Sequence, residues 1–265
     1  MMSYNTQQHQ KRQHEERKPW LKLLTQYVKP GKIVELGCGS GFVVEEMSHT
    51  FTDSCIIGVD KSLQRLAALV KKKLTNVIPL KGDFTRPIFA SHTFDTVIFV
   101  GSLHEVFSYG DLAKVEDALR IAYALVKNDG VVIIQDFLKP NPAHVNLIFK
   151  NHETKNKFIR FANEFKPRKI QSEMKENGVQ VDIADAVEFI SKYRSPDEED
   201  WREEMTETHF FFTEGDFKNI AQKIGFLIHD LKKLARNKER TTQIQEDIEC
   251  NFILEHPWVQ LVLKK

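Results

Sequence analysis

The run Ile33-Val34-Glu35-Leu36-Gly37-Cys38-Gly39-Ser40-Gly41 constrains this chain more than any other stretch. Two β-branched residues and a leucine make a short buried strand. Three alternating glycines then make a turn. Glycine lacks Cβ and tolerates positive φ, so a ligand can approach the main chain closely there. The segment from Phe42 to Thr50 reads as a helix whose free amides and positive dipole end face whatever sits on the turn. Strand, glycine turn and helix in that order fit a nucleotide-like ligand.

The rhythm continues downstream. A second strand, Ser54 to Val59, ends at Asp60, and Leu63, Leu66, Ala67, Leu69 and Val70 mark a helix. That helix closes in Lys71-Lys72-Lys73, where lysines complement the negative end of the dipole and need no nucleic acid to explain them. A third strand, Asn76 to Leu80, leads to Gly82-Asp83-Phe84. The fourth, Thr96 to Val100, is apolar throughout, as a strand covered on both faces is. A helix from Asp111 to Lys127 and the turn Asn128-Asp129-Gly130 lead into a fifth strand, Val131 to Gln135. Strands alternating with helices in this way predict a parallel sheet with crossover helices.

The pattern breaks at Pro140. From there to about His209 no convincing strand is visible, yet the stretch is too long for a plain loop. Phe158, Phe161, Ala162 and Phe165 mark one amphipathic helix; Ile183, Ala186, Val187 and Ile190 mark another, with Asp182 as N-cap. The stretch is basic at its start and acidic at its end, and it reads as a helical insertion. Thr213 with Asp216 resembles a capping box for a helix to Ile224, followed by strands Phe226 to Leu231 and Trp258 to Leu263. The expected organisation is an N-terminal helical extension over residues 1–28, its polar first dozen residues a loose lead-in, and one domain over 29–265 with the insertion at about 140–209.

Composition narrows the class. With 265 residues and a net charge of +1, the chain fits one elaborated domain without a global field for polyanions. Cys38, Cys55 and Cys250 have no ligand spacing, which argues against a disulfide framework or a zinc site and suits a cytoplasmic protein. The polar N-terminus lacks the apolar core of a signal peptide, and no run of about 18 apolar residues occurs. A membrane partner is not expected.

Four motifs in order, Val34 to Gly41, Gly58-Val59-Asp60, Gly82-Asp83-Phe84 and Phe94 to Phe99, resemble the class I S-adenosylmethionine-dependent methyltransferases. The resemblance covers about Lys29 to Asp136 and, more loosely, Thr213 to the end. It implies a Rossmann-like α/β fold, doubly wound, with a mostly parallel seven-stranded sheet whose last strand is antiparallel, plus a helical lid insertion. It implies S-adenosyl-L-methionine as cofactor. The turn residues Gly37, Cys38, Gly39 and Gly41 would cradle the methionine moiety, with Glu35 near its ammonium. Asp60, about 20 residues past the turn, would accept the ribose hydroxyls, with Lys61 beside it. Asp83 and Phe84 would hold the adenine, and Gly101 and Ser102 would border the cofactor. Plainer roles exist for several: Glu35 could brace the turn, Asp60 could serve a helix N-terminus, and Phe84 could be core. A dehydrogenase shares this architecture, but its fingerprint is Gly-x-Gly-x-x-Gly, and Phe42 stands at the third glycine.

Methyl transfer from a sulfonium needs alignment and exclusion of water more than it needs a catalytic signature. A general base helps for a hydroxyl or protonated amine. His104, just after the fourth strand, is the first candidate, with Glu105 to orient it or to act itself; His209 is a weaker one. A cap or lining role for His104 competes. His104 and Glu105 alone do not make a metal site, and no metal is expected. The Asn/Asp-Pro-Pro-Tyr tetrad and the Pro-Cys nucleophile of nucleic-acid methyltransferases are absent. The expected acceptor is therefore a small molecule, methylated on O or N by direct displacement. Phe149, Phe158, Phe161, Phe165 and Phe189 could line its pocket or could simply hold the insertion together. Two alternatives stay open. One is an RNA methyltransferase using the basic residues of the insertion with Lys232, Lys233, Arg236, Lys238 and Arg240. The other is a cofactor-binding protein without catalysis.

Overall fold

A computed structural model describes residues 17–252 and 257–265; the lead-in over residues 1–16 lies outside the described residues. Helix α1 (17–25) precedes β1 (Lys32–Leu36), and the glycine turn opens α2 (Phe42–Thr50). Then come β2 (Cys55–Asp60), α3 (Leu63–Val70), β3 (Val77–Lys81), β4 (Phe94–Val100), α4 (Leu103–Tyr109), α5 (Leu112–Leu125) and β5 (Val126–Phe137). The insertion supplies β6 (His144–Phe149), α6 (His152–Glu164), β7 (Ser172–Lys175), β8 (Gly178–Asp182), α7 (Ile183–Lys192) and α8 (Glu198–Glu204). The chain closes with α9 (Glu214–Ile224), β9 (Leu227–Leu234), α10 (Lys238–Asp247), β10 (Ile248–Cys250) and β11 (Trp258–Lys264).

The main sheet has seven strands in the order β3-β2-β1-β4-β5-β11-β9. β11 runs antiparallel to both its neighbours, while the pairs from β3 to β5 are parallel. Alternation along the strands divides the apolar residues between two cores. Val34, Val97, Phe99 and Ile134 face α5 and α9, packing with Val115, Leu119, Phe217 and Ile220. Ile33, Ile98 and Ile133 face the other way, against Leu21 and Leu24 of α1, Val43 and Met47 of α2, and Leu66 and Leu69 of α3. Strands covered on both faces need apolar residues at every position, which is why they read as unbroken hydrophobic runs. Caps stop and start the helices where short polar side chains reach backbone amides: Asp182 accepts from the Ala184 N–H, and Thr213 with Asp216 forms a reciprocal capping box. Among the described residues no helix is long and apolar enough to cross a membrane.

The insertion is not purely helical. β6, β8 and β7 form an antiparallel sheet with β10, which arrives from the segment between β9 and β11. The alternation of β6, with Val145, Leu147 and Phe149 inward, and the tight turn before Gly178 are period-two and hairpin signals that helical spacing nearby obscured. Phe149, Phe158, Phe161, Phe165 and Phe189 do not line an acceptor pocket. They pack on one another, with ring centroids 4.9–6.2 Å apart, as the insertion's own core.

Candidate active site

Strand order reverses between β1 and β4, and doubly wound sheets bind ligands at the carboxyl ends beside such a reversal. The glycine turn after β1 sits there. Gly37, Gly39 and Gly41 have φ of 86°, 53° and 80°. A Cβ on Gly37 would stand 2.5 Å from Ser102 Cβ, and one on Gly41 would stand 2.4 Å from Leu69 Cδ1. Those two glycines are required by packing as well as by φ. A Cβ on Gly39 would meet nothing within 4 Å among the described residues, so its face is open to a ligand.

The turn is pinned from beneath by β2. Gly37 and Cys38 donate their N–H groups to the Val59 carbonyl at 2.8 and 2.9 Å. Asp60, 5% exposed, accepts from the Gly39 N–H at 2.8 Å through Oδ2 and from the Ser62 N–H at 2.7 Å through Oδ1. Each carboxylate oxygen keeps a second lone pair for a ligand. Glu35 is buried under the turn, and its Oε2 has no hydrogen-bond partner among the described residues. Burial pushes its carboxyl up to about 8, against a hydrogen bond from the Val44 backbone, and the nearby Asp60 adds to the rise. An orphaned buried carboxylate oxygen beside an open glycine is what a bound ammonium would satisfy. The residues present therefore fit S-adenosylmethionine.

The remaining residues expected at the cofactor are spread around this point. Asp83 is half-exposed; its Oδ1 accepts from the Thr85 hydroxyl and N–H at 2.7 and 3.0 Å, which holds its pKa below the usual range. Phe84 meets Phe99 edge-on at 5.8 Å and closes over Gly37. Ser102 is buried and donates to the Leu36 carbonyl at 2.9 Å, bracing the turn. Gly101 adopts φ of 62°. Lys61 lies over the Tyr109 ring, and the Cys38 thiol is buried and held un-ionised by burial.

Across the sheet edge a second cluster forms. His104 is buried at the start of α4, and its Nδ1 lies 2.7 Å from Asp136 Oδ1 near the end of β5. Asp136 Oδ2 also accepts from the Leu103 and His104 N–H groups. Asp136 thus holds the ring, and sequence reading missed it. The expectation that Glu105 orients His104 is not met. Adjacent helical residues point in different directions, and Glu105 faces Arg65 at 3.6 Å. His209 comes from the far end of the insertion to within 5.1 Å of His104, ring centroid to centroid. It stacks on Phe137 at 4.2 Å. Its Nε2 lies 3.2 Å from both Glu204 Oε2 and Glu207 Oε1. Burial and Lys192 oppose a charge on His209, but the two glutamates prevail and push its pKa up to about 9. Behind it, buried Glu188 accepts from the His209 N–H at 2.7 Å and pairs with buried Lys192 at 3.5 Å.

Residues 33–130 match the family model described as a methyltransferase domain. The fold is shared with an S-adenosylmethionine-dependent methyltransferase from Mesorhizobium loti, at 17% identity, covering 94% of this chain and 98% of that one with a TM-score of 0.58. It is shared with a possible histamine N-methyltransferase from Thermotoga maritima, at 16% identity over 95% and 89% with a TM-score of 0.54. The [4+2]-cyclase SpnF matches at 11% over 93% and 80% with a TM-score of 0.56. Among curated proteins none matches the chain's sequence. Sheet order and glycine turn are those of the fold these structures share, and the part of the chain that carries the turn is the part that matches the methyltransferase-domain model.

Proposed function

We propose that the chain methylates an oxygen or nitrogen of a small-molecule acceptor seated between the glycine turn and the His104–His209 pair. The observation that carries this reading is that pair itself: one histidine from the methyltransferase core and one from the insertion, 5.1 Å apart at the carboxyl edge. An acceptor contacting both is recognised by core and insertion together. In this reading the cofactor contacts are Glu35 for the ammonium, the Gly37–Gly41 turn for the methionine portion, Asp60 for the ribose, and Asp83 and Phe84 for the adenine. When bound, the cofactor supplies a methyl group already activated on sulfur. The protein's residues then align the acceptor and keep water out.

The basic residues of the insertion and of β9 support a small acceptor over RNA. Arg160 forms a two-pronged pair with Glu198, Arg168 pairs with Asp185, Lys157 with Glu153, and Lys233 with Glu214. Interleaved charges of both signs make a poor phosphate track.

Labelled S-adenosylmethionine, incubated with the chain and with separate metabolite and RNA fractions, tests the reading. Label in the metabolite fraction is expected. Label in RNA alone, or cofactor binding without any transfer, overturns it. His104→Ala is expected to lower kcat about a hundredfold while changing cofactor affinity less than about threefold. An equal loss in both makes His104 a cofactor-binding residue instead.

A further inference from the structure

The acceptor side gathers more ligating atoms than alignment of a substrate requires. His104 has its Nδ1 committed to Asp136 at 2.7 Å, which leaves Nε2 as the ring nitrogen available to a ligand. His209 has its Nδ1 3.2 Å from Ser191 Oγ, and its Nε2 turned toward Glu207 and Glu204. One ligand atom each from His104, Glu207 and His209 lies within 4.8 Å of the other two. His104 and His209 are buried and Glu207 nearly so, on a floor formed by Phe137.

Two imidazoles and one carboxylate are the donor set of open zinc sites, in which a fourth position is left for water or substrate. Donor atoms around a tetrahedral ion with bonds of 2.0–2.2 Å stand about 3.3–3.6 Å from one another. The 3.2 Å between His209 Nε2 and Glu207 Oε1 already matches that edge. The His104 nitrogen has at most about 1.5 Å to close. The supporting shell is also in place. A ligating histidine nearly always donates its other ring N–H to a carboxylate, backbone carbonyl or water; Asp136 fills that role for His104, and the Ser191 hydroxyl oxygen stands at the same place for His209.

The charges point the same way. Glu188, Glu204, Glu207 and Asp136 converge here, while the permanent cations among the described residues at this end are Lys192 and Arg168. Arg168 is shared with Asp185. Carboxylates outnumber permanent cations around two histidines, so the cluster accommodates a bound cation in place of the protons the histidines otherwise carry.

We propose that His104, His209 and Glu207 bind one divalent first-row transition ion of the Zn2+ type, with the open coordination position facing the acceptor. Glu204 stands 3.2 Å from His209 Nε2 as a reserve ligand. An acceptor hydroxyl bound to such an ion would give up its proton to solvent more readily and present a lone pair to the methyl group, with S-adenosylhomocysteine as the leaving group. That last role rests on the methyl-transfer reading; the metal site does not. The sequence hid the site because cysteine spacing and the neighbours His104 and Glu105 gave no cluster. The third ligand and the second histidine lie about a hundred residues further on.

The test measures metal binding without acceptor or donor. Untagged, chelator-stripped full-length chain is titrated with Zn2+ by calorimetry and with Co2+ by visible absorption. One Zn2+ per chain is expected, with a Kd at or below about 1 μM, and the Co2+ complex is expected to show the d–d bands of a low-coordinate site. His209→Ala and Glu207→Gln are expected to weaken binding at least about a hundredfold, and Asp136→Asn about ten- to a hundredfold. Far-UV circular dichroism and S-adenosylhomocysteine affinity check that each variant is folded; His104→Gln serves if His209→Ala is not. Absence of stoichiometric binding overturns the proposal. So does binding that survives the site variants but is lost when His9 and His14 of the N-terminal lead-in are replaced. Metal binding without any methyl transfer would leave the site standing and remove the acceptor role.

Discussion

Asp60→Ala is expected to abolish measurable binding of S-adenosylhomocysteine, a loss of roughly a thousandfold or more. Two effects add. The carboxylate is the acid at the tip of β2 beside the open face of Gly39, and losing two charge-assisted hydrogen bonds to a ribose costs about 1.5–3 kcal/mol each. Asp60 also holds the turn, through the N–H groups of Gly39 and Ser62 at 2.8 and 2.7 Å. Alanine leaves both amides without that partner, which is expected to lower stability by about 2 kcal/mol. Asp60→Asn separates the two effects. Its amide oxygen still accepts one of the backbone bonds, so most stability returns, while the charge offered to the ribose does not. Calorimetry and thermal melts on the two variants read binding and stability separately. Unchanged affinity in Asp60→Ala would remove Asp60 from the cofactor site.

Glu35→Gln is expected to move stability and affinity in opposite directions. In the folded chain without cofactor the Glu35 carboxyl ionises at about 8, against an ordinary value of 4.5. Between those two values the folded state keeps a proton that the unfolded state has released. Stability therefore falls as pH rises from 4.5 toward 8 and levels off above it, by roughly 1.4 kcal/mol per unit and about 5 kcal/mol in all as an upper limit. Glutamine carries no charge to bury, so the variant lacks this slope. It should match the parent near pH 4.5 and exceed it by a few kcal/mol at pH 8.5. An ammonium beside Glu35 favours the ionised form, so parental affinity is expected to rise with pH below 8 and binding to release a proton. The variant should bind about ten- to a hundredfold more weakly, without that release. Urea titrations across this range, with calorimetry in two buffers, give both quantities. Parallel stability slopes in parent and variant would show that Glu35 does not hold a proton in the folded state.

The features that sequence reading recovered are those written in neighbouring residues. β1 and the glycine turn announce themselves through β-branched residues followed by three glycines, because the φ values of Gly37, Gly39 and Gly41 demand that residue type. The caps at Asp182 and at Thr213 with Asp216 were legible because a cap acts over two or three residues. The second sheet was not, since β10 gains its partner only by meeting β6 about a hundred residues earlier. The insertion's phenylalanines have helical spacing whether they line a pocket or fill a core. Only their mutual packing shows that they fill one.

The sequence alone determined the sheet class and the glycine turn that opens to a nucleotide-like ligand, since both depend on local backbone chemistry repeated at a fixed rhythm. The tertiary structure decided the other half of the site. It gave His104 to Asp136 instead of Glu105, because residues next to each other on a helix face different ways. It also carried His209 and Glu207 across the whole insertion to meet His104. Contacts made by side chains far apart in the chain depend on how the packed layers register, and no local pattern of residues encodes that register.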